Sequence, residues 1–178
     1  MDPGHVFDRM RGDHQRGLEG LATLEQAVAG VDSAGRLDDG AREAMRAVVR
    51  VLEGQFDTHM AAEDEVLFPA LTRALPHALG QIQQLGAEHE ELRSMLGSLG
   101  RLLDSPHGRV SDEQVVVQAR DLVDLLRIHI RKEESAVFGV AERVLEPRML
   151  EALADRMSSG TATPADRAPR GPSKGLKP

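Results

Sequence analysis

The chain has 178 residues, enough for one domain and a tail, and 40% of them are hydrophobic, enough to bury a core. Its net charge of −7 argues against wrapping nucleic acid or coating an anionic membrane. The absence of Cys excludes disulfides, thiolate zinc sites, iron–sulfur clusters and thiol nucleophiles, so any metal would need nitrogen and oxygen ligands.

Leu, Val, Ala and Met dominate the apolar set, while Trp and Tyr are absent and Phe occurs four times, a balance that favours helices over sheets. The first amphipathic segment is expected over about residues 5–29, stopping in the Gly- and Asp-rich GVDSAGRLDDG, with Phe7, Met10, His14, Gly17, Leu21, Leu24 and Val28 on one seam. The second is expected over about 41–67, ending near Pro69 with one more turn before Pro76. Its seam is Met45, Val49, Leu52, Phe56, His59, Glu63, Val66 and Ala70.

The third starts at Pro76, a good first helical residue, and ends at DSPHG, with Ile82, Leu85, His89, Leu92, Leu96, Leu99 and Leu103 inward. In the fourth, Ser111-Asp112-Glu113-Gln114 reads as a capping box, and the helix continues to about 145. Val115, Ala119, Leu122, Leu126, His129, Glu133, Ala136 and Val140 form its seam. A short fifth helix follows from Pro147 to about Met157. From Ser158 onward the Pro, Gly, Ser and Thr content predicts a disordered tail over 158–178, leaving a domain over 1–157. Four basic residues of the tail, Arg167, Arg170, Lys174 and Lys177, are read as solubilising. Short connections and alternating steps of three and four predict an all-α, up-down-up-down antiparallel four-helix bundle.

Each seam is apolar except at His14, at His59 with Glu63, at His89, and at His129 with Glu133. A His and a Glu at i and i+4 share one helix face, so each pair points inward together. The heights agree around two of the turns and more loosely around the first loop, about twenty residues against twenty-five. The His59–Glu63 pair and His89 each lie about fourteen residues from the turn at Pro76, and His89 and His129 each about twenty from the turn at His107. Six ionisable groups are therefore expected in one core layer. Burying them without compensation costs several kcal/mol each. A closed His–Glu hydrogen-bonded network would meet that cost without metal, but six groups in one layer, arranged as two related halves, favour a metal site.

The halves are related in sequence. HMAAEDEVLF (59–68) and HIRKEESAVF (129–138) share His-x3-Glu, an acidic follower, and a Phe five residues after the Glu. Each is preceded by a helix with one inward His, in DHQRGLEGL and EHEELRSML. One His plus one His-x3-Glu per half suits a two-fold site with two ions. Four imidazoles and two carboxylates suit Fe, Mn or Zn better than Ca or Mg. His-Glu-x-x-His, Glu-x-x-His and G-x-S-x-G motifs are absent. MDPGHVFDRMRGDH has no apolar stretch of signal-peptide type and no segment is long enough to span a bilayer, so a cytoplasmic location is expected.

Over about residues 5–145 the pattern H…H-x3-E…H…H-x3-E resembles the hemerythrin-like HHE cation-binding family. The matches are His14, HMAAE at 59–63, His89 in AEHEELR and HIRKE at 129–133, with EDEVLFPAL following the second. The resemblance implies a non-haem di-iron centre. His14 and His59 would serve mainly one iron, His89 and His129 the other, with Glu63, Glu133 and a solvent-derived oxo or hydroxo group bridging. Where oxygen carriers of the family have a fifth His one turn after the third-helix His, this chain has Arg93, and where they have an Asp it has Glu133. A more open centre of this kind should carry O2 less cleanly and react more readily with peroxide or NO. Iron-centre repair proteins share the ligand pattern but usually carry a Cys-containing N-terminal segment.

The implied partners are small diatomic or peroxide ligands and an unidentified electron donor, with no nucleic acid and no membrane. Binding or sensing of O2 or NO stands beside turnover of peroxide or NO-derived species, and storage, delivery or repair of iron is the alternative. His5, His77 and His107 are read as surface histidines, and Arg93 as a solvated bundle-edge cation. Asp64, Glu90, Glu91 and Glu134 neighbour the ligands and are candidate partners for imidazole N–H groups, though surface charge is the commoner role. Phe7, Phe56, Phe68 and Phe138 are core residues first and candidate walls of a dry pocket second.

Overall fold

A computed structural model describes residues 5–106 and 108–159. The expected tail falls almost wholly on 160–178, outside the described residues, as does His107. All regular structure among the described residues is helical. Helix α1 spans His5–Ala34, α2 Asp39–Ala62, α3 Phe68–Ala74, α4 Leu79–Asp104, α5 Arg109–Lys132, α6 Gly139–Val144 and α7 Pro147–Ser159. Among the described residues no helix is long and apolar enough to cross a membrane.

The four long helices form a ring in which α1 and α4 each pack on both α2 and α5. Their expected seams are buried throughout α1 and α4, and in α2 and α5 up to Glu63 and Glu133. Two apolar clusters result. One, built around Leu21, Leu24, Met45, Leu52, Leu96, Leu99 and Leu122, fills the long barrel of the bundle. The other, built around Phe7, Met10, Leu67, Phe68, Phe138, Leu153 and Met157, is closed by α7.

Several boundaries differ from expectation for local physical reasons. Helix α1 runs five residues past 29, through Gly30, and it stops where Gly35 takes φ of 71° and donates its N–H to Val31 O at 2.7 Å. Pro69 does not end the second helix. A π-helical stretch, Glu63–Leu67, widens the ladder just before it, so Pro69 falls at the start of a fresh α segment, where a missing N–H is tolerated. Pro76 opens a 3-10 turn, Pro76–Ala78, with α4 beginning after it. The fourth helix starts at Arg109 rather than with a cap at Ser111, and Gly108 is its N-cap.

The Asp112 side chain is engaged across the bundle. It accepts from Leu37 N at 3.1 Å and from Arg42 Nη2 at 2.8 Å. Arg42 is itself buried, and its Nη1 donates to the carbonyls of Leu102, Leu103 and Ser105 at 2.9–3.2 Å. This clamp supplies donors to the carbonyls left unpaired at the end of α4.

Candidate metal centre

His14 on α1, His59 on α2, His89 on α4 and His129 on α5 meet Glu63 and Glu133 between the two apolar clusters, and all six are buried. Glu63 and Glu133 each begin a π-helical stretch, Glu63–Leu67 and Glu133–Phe138. The wider turn inserts one residue, so each Glu shares a face with the Phe five residues later rather than with its i+3 neighbour. Phe138 is therefore buried while Ala136, expected on the seam, is exposed, and in the other half Leu67 and Phe68 are buried while Val66 is only partly so. The rings form matching walls. Phe138 stacks on His14 at 5.3 Å and 13°, and Phe68 stacks on His89 at 5.3 Å and 21°. Phe7 packs on Phe138 at 5.2 Å, and Phe56 lies in the barrel cluster against the Cα of Gly17, where a Cβ would come within 3.2 Å of its ring.

Every imidazole is held from behind by a carboxylate. Nδ1 of His14 lies 3.0 Å from Glu134, Nδ1 of His59 3.3 Å from Asp13, Nδ1 of His89 2.7 Å from Asp64 and Nδ1 of His129 3.1 Å from Glu88. A carboxylate can only accept, so each Nδ1 carries the proton and each Nε2 faces the centre. The pattern repeats across the halves. The acid just before one His holds the imidazole of the following helix (Asp13 to His59, Glu88 to His129). The acid just after each Glu reaches the other half (Asp64 to His89, Glu134 to His14). Asp64 and Glu134 were candidates from the sequence, whereas Asp13 and Glu88 were missed. The signal available for them was an acid immediately before the inward His in both halves. Glu90 instead pairs with Arg93, and Glu91 is exposed. Arg93 also binds Asp64 at 2.9 Å, so it meets the centre through a carboxylate. His77 is exposed in its turn.

The inward atoms are crowded. Nε2 of His14 and His59 are 3.1 Å apart, as are Nε2 of His89 and His129. Glu133 places its oxygens 3.0–3.5 Å from Nε2 of His14, His89 and His129, and Glu63 lies 3.4–3.5 Å from His59 and His89. Yet the four carboxylate oxygens are buried and none has a hydrogen bond of sound geometry. A buried orphan of this kind calls for a partner. A cation fits: two nitrogens 3.1 Å apart match adjacent ligands on an ion with metal–nitrogen bonds of about 2.1 Å. His14, His59 and Glu133 form one such group and His89, His129 and Glu133 a second, so Glu133 belongs to both.

The electrostatics run the same way. Burial lowers the His59 pKa, but the charge of Glu63 and the bond to Asp13 outweigh it and lift it to about 10. Burial likewise lowers His89, while its bond to Asp64 and the nearby carboxylates of Glu133 and Glu63 carry it up to about 9. His129 is raised, against burial, chiefly by Glu133. Burial would raise Glu133, but His129, His14 and His89 hold it well below the usual carboxylate range. The buried carboxylate of Glu133 thus draws positive charge, whether as protons or as a metal ion.

The Hemerythrin HHE cation binding domain family model matches residues 5–141. No curated protein matches the chain.

Proposed function

This chain belongs to the hemerythrin HHE cation-binding family, and we propose that it is a non-haem di-iron protein that binds or reacts with small oxidants, namely O2, peroxide or NO. The observation that carries the reading is the set of orphan Glu63 and Glu133 oxygens buried among four inward Nε2 atoms. In this reading His14 and His59 would hold one ion and His89 and His129 the other, with Glu63 and Glu133 as the carboxylates available to both. Iron there would supply one-electron cycling and open coordination positions.

The protein's own part is positioning and exclusion. Asp13, Asp64, Glu88 and Glu134 fix the imidazole tautomers, orient the rings and raise their basicity. Phe7, Met10, Leu67, Phe68 and Phe138 keep water from one side of the layer. The reading takes the ring as an up-down-up-down bundle, supported by Arg42 near the start of α2 meeting the last carbonyls of α4.

The test is metal content and the near-ultraviolet spectrum after anaerobic Fe(II) loading, then air. With no Trp or Tyr, the protein adds almost no absorption to mask charge-transfer bands. Two irons per chain with new bands in air are the expected result. No bound metal, and identical melting with chelator, would return the layer to a polar core network.

A further inference from the structure

The four outer carboxylates are not equally secured. Asp13 is paired with Arg16, Asp64 with Arg93 and Glu88 with Lys132. Among the described residues Glu134 pairs with His14 and with no cation. Its side chain is also the most open, 41% exposed against 29% for Asp64, 12% for Asp13 and 10% for Glu88. The cause is one position in the repeat. Four residues after His89 stands Arg93, whose guanidinium ties Asp64 behind His89. Four residues after His14, at the equivalent point of the other half, stands Leu18, which packs against the barrel cluster. Leucine offers Glu134 nothing, so the His14 ring is held from behind by a single, solvent-exposed acceptor.

We propose that the two metal positions are unequal: the His14–His59 position is the exchangeable one, and Arg93 is a positioning residue that retains the ion at His89–His129 by fixing Asp64. The inference rests on the two-ion reading above. An outer partner is worth roughly 10- to 100-fold in metal affinity, enough to separate two otherwise related positions. The inequality makes the centre able to release or renew one ion while the other, with Glu133 shared between them, keeps the pocket formed.

The test is transfer of iron from the full chain, loaded anaerobically with Fe(II), to a coloured Fe(II) chelator under argon. Two phases of one equivalent each are expected, separated by about tenfold or more in rate. Arg93→Leu should speed the slow phase about tenfold and leave the fast phase alone. Arg93→Lys should restore part of it, since a point charge at Asp64 survives without the fork that also reaches Glu90, an outcome that a purely packing role would not give. Leu18→Arg should slow the fast phase. Because Leu18 also packs the core, a second comparison stands beside it: Asp64→Asn should accelerate its phase by a larger factor than Glu134→Gln accelerates the other. Two equivalents leaving in one phase, or a slow phase indifferent to Arg93→Leu, would overturn the inference alone. Failure to bind iron at all would overturn it together with the di-iron reading.

Discussion

Two clusters of buried charge lie about 25 Å apart along α2, one at Arg42 and one at His59. In the first, both terminal nitrogens of Arg42 meet acceptors, and Asp112 is held by Arg42 and by the Leu37 amide. Apart from Arg42 Nε, which has no partner, that cluster is closed on itself, and its work is to tie α2, α4 and α5 together. In the second, the outward atoms are equally well satisfied, yet the inward oxygens of Glu63 and Glu133 are left without a bond. Burial of charge is common to both. What separates a structural cluster from a binding one is the direction in which unsatisfied atoms point.

The sharpest way to break that contrast is to remove one partner of the clamp. Asp112→Ala leaves the Arg42 charge buried without its counter-ion and should cost about 3–5 kcal/mol of stability. Urea unfolding should give the same loss with and without a chelator, and a loss that depended on metal would erase the distinction. Next in size is the effect of metal itself. Fe(II) at about 100 times its Kd should add about 2.7 kcal/mol to the unfolding free energy for each ion bound; the share of the His14–His59 ion should vanish in His59→Ala and both shares in Glu133→Ala. A ligand variant that kept the full increment and the full metal content would remove that residue from the centre.

A pH series sharpens the contrast further. His59 and His89 titrate near 10 and 9 in the folded chain, above the 6.5 of a free imidazole. Their contribution to the chelator-treated protein is therefore complete below about pH 6.5 and is lost as pH rises through about 9–10. Thermal melts of that protein from pH 6 to 10 should fall, and metal, which takes the imidazoles deprotonated, should flatten the curve. A chelator-treated protein equally stable at both ends would contradict the buried imidazolium network. The smallest effect is steric. Gly17→Ala brings a Cβ within 3.2 Å of the Phe56 ring one turn from His14, and a loss of about 1 kcal/mol is expected in the same unfolding assay.

The ligand seam was legible because its polar residues interrupt an otherwise apolar three-four rhythm, and the rhythm holds in all four long helices as far as the layer itself. Beyond Glu63 and Glu133 it slips, although Ala70 is buried as expected. Extrapolation puts Ala136 inward, whereas the π turn brings Phe138 and Ala141 inward instead. Nothing in composition signals that turn except the repeated Glu-to-Phe spacing of five. Arg42 was illegible for a different reason: an arginine in the first turn of a helix looks like surface, and only the crossing of α2 over the end of α4 gives it acceptors. Asp13 and Glu88 sit between these cases, visible once the repeat is taken to include the acid before each inward His.

The paired π turns also limit how this helix pair can change. Upstream of each Glu the side chains keep one angular phase and downstream another, with a single surplus residue as the joint. Substitutions can retune either stretch separately, but none can bring the two phases into line. Only loss of a residue does that, and deleting Ala136 would swing Phe138 and everything after it off the site in one step. The wall behind His14 and the carboxylate of Glu133 are thus inherited as one unit, sensitive to the count of residues between them more than to their identity.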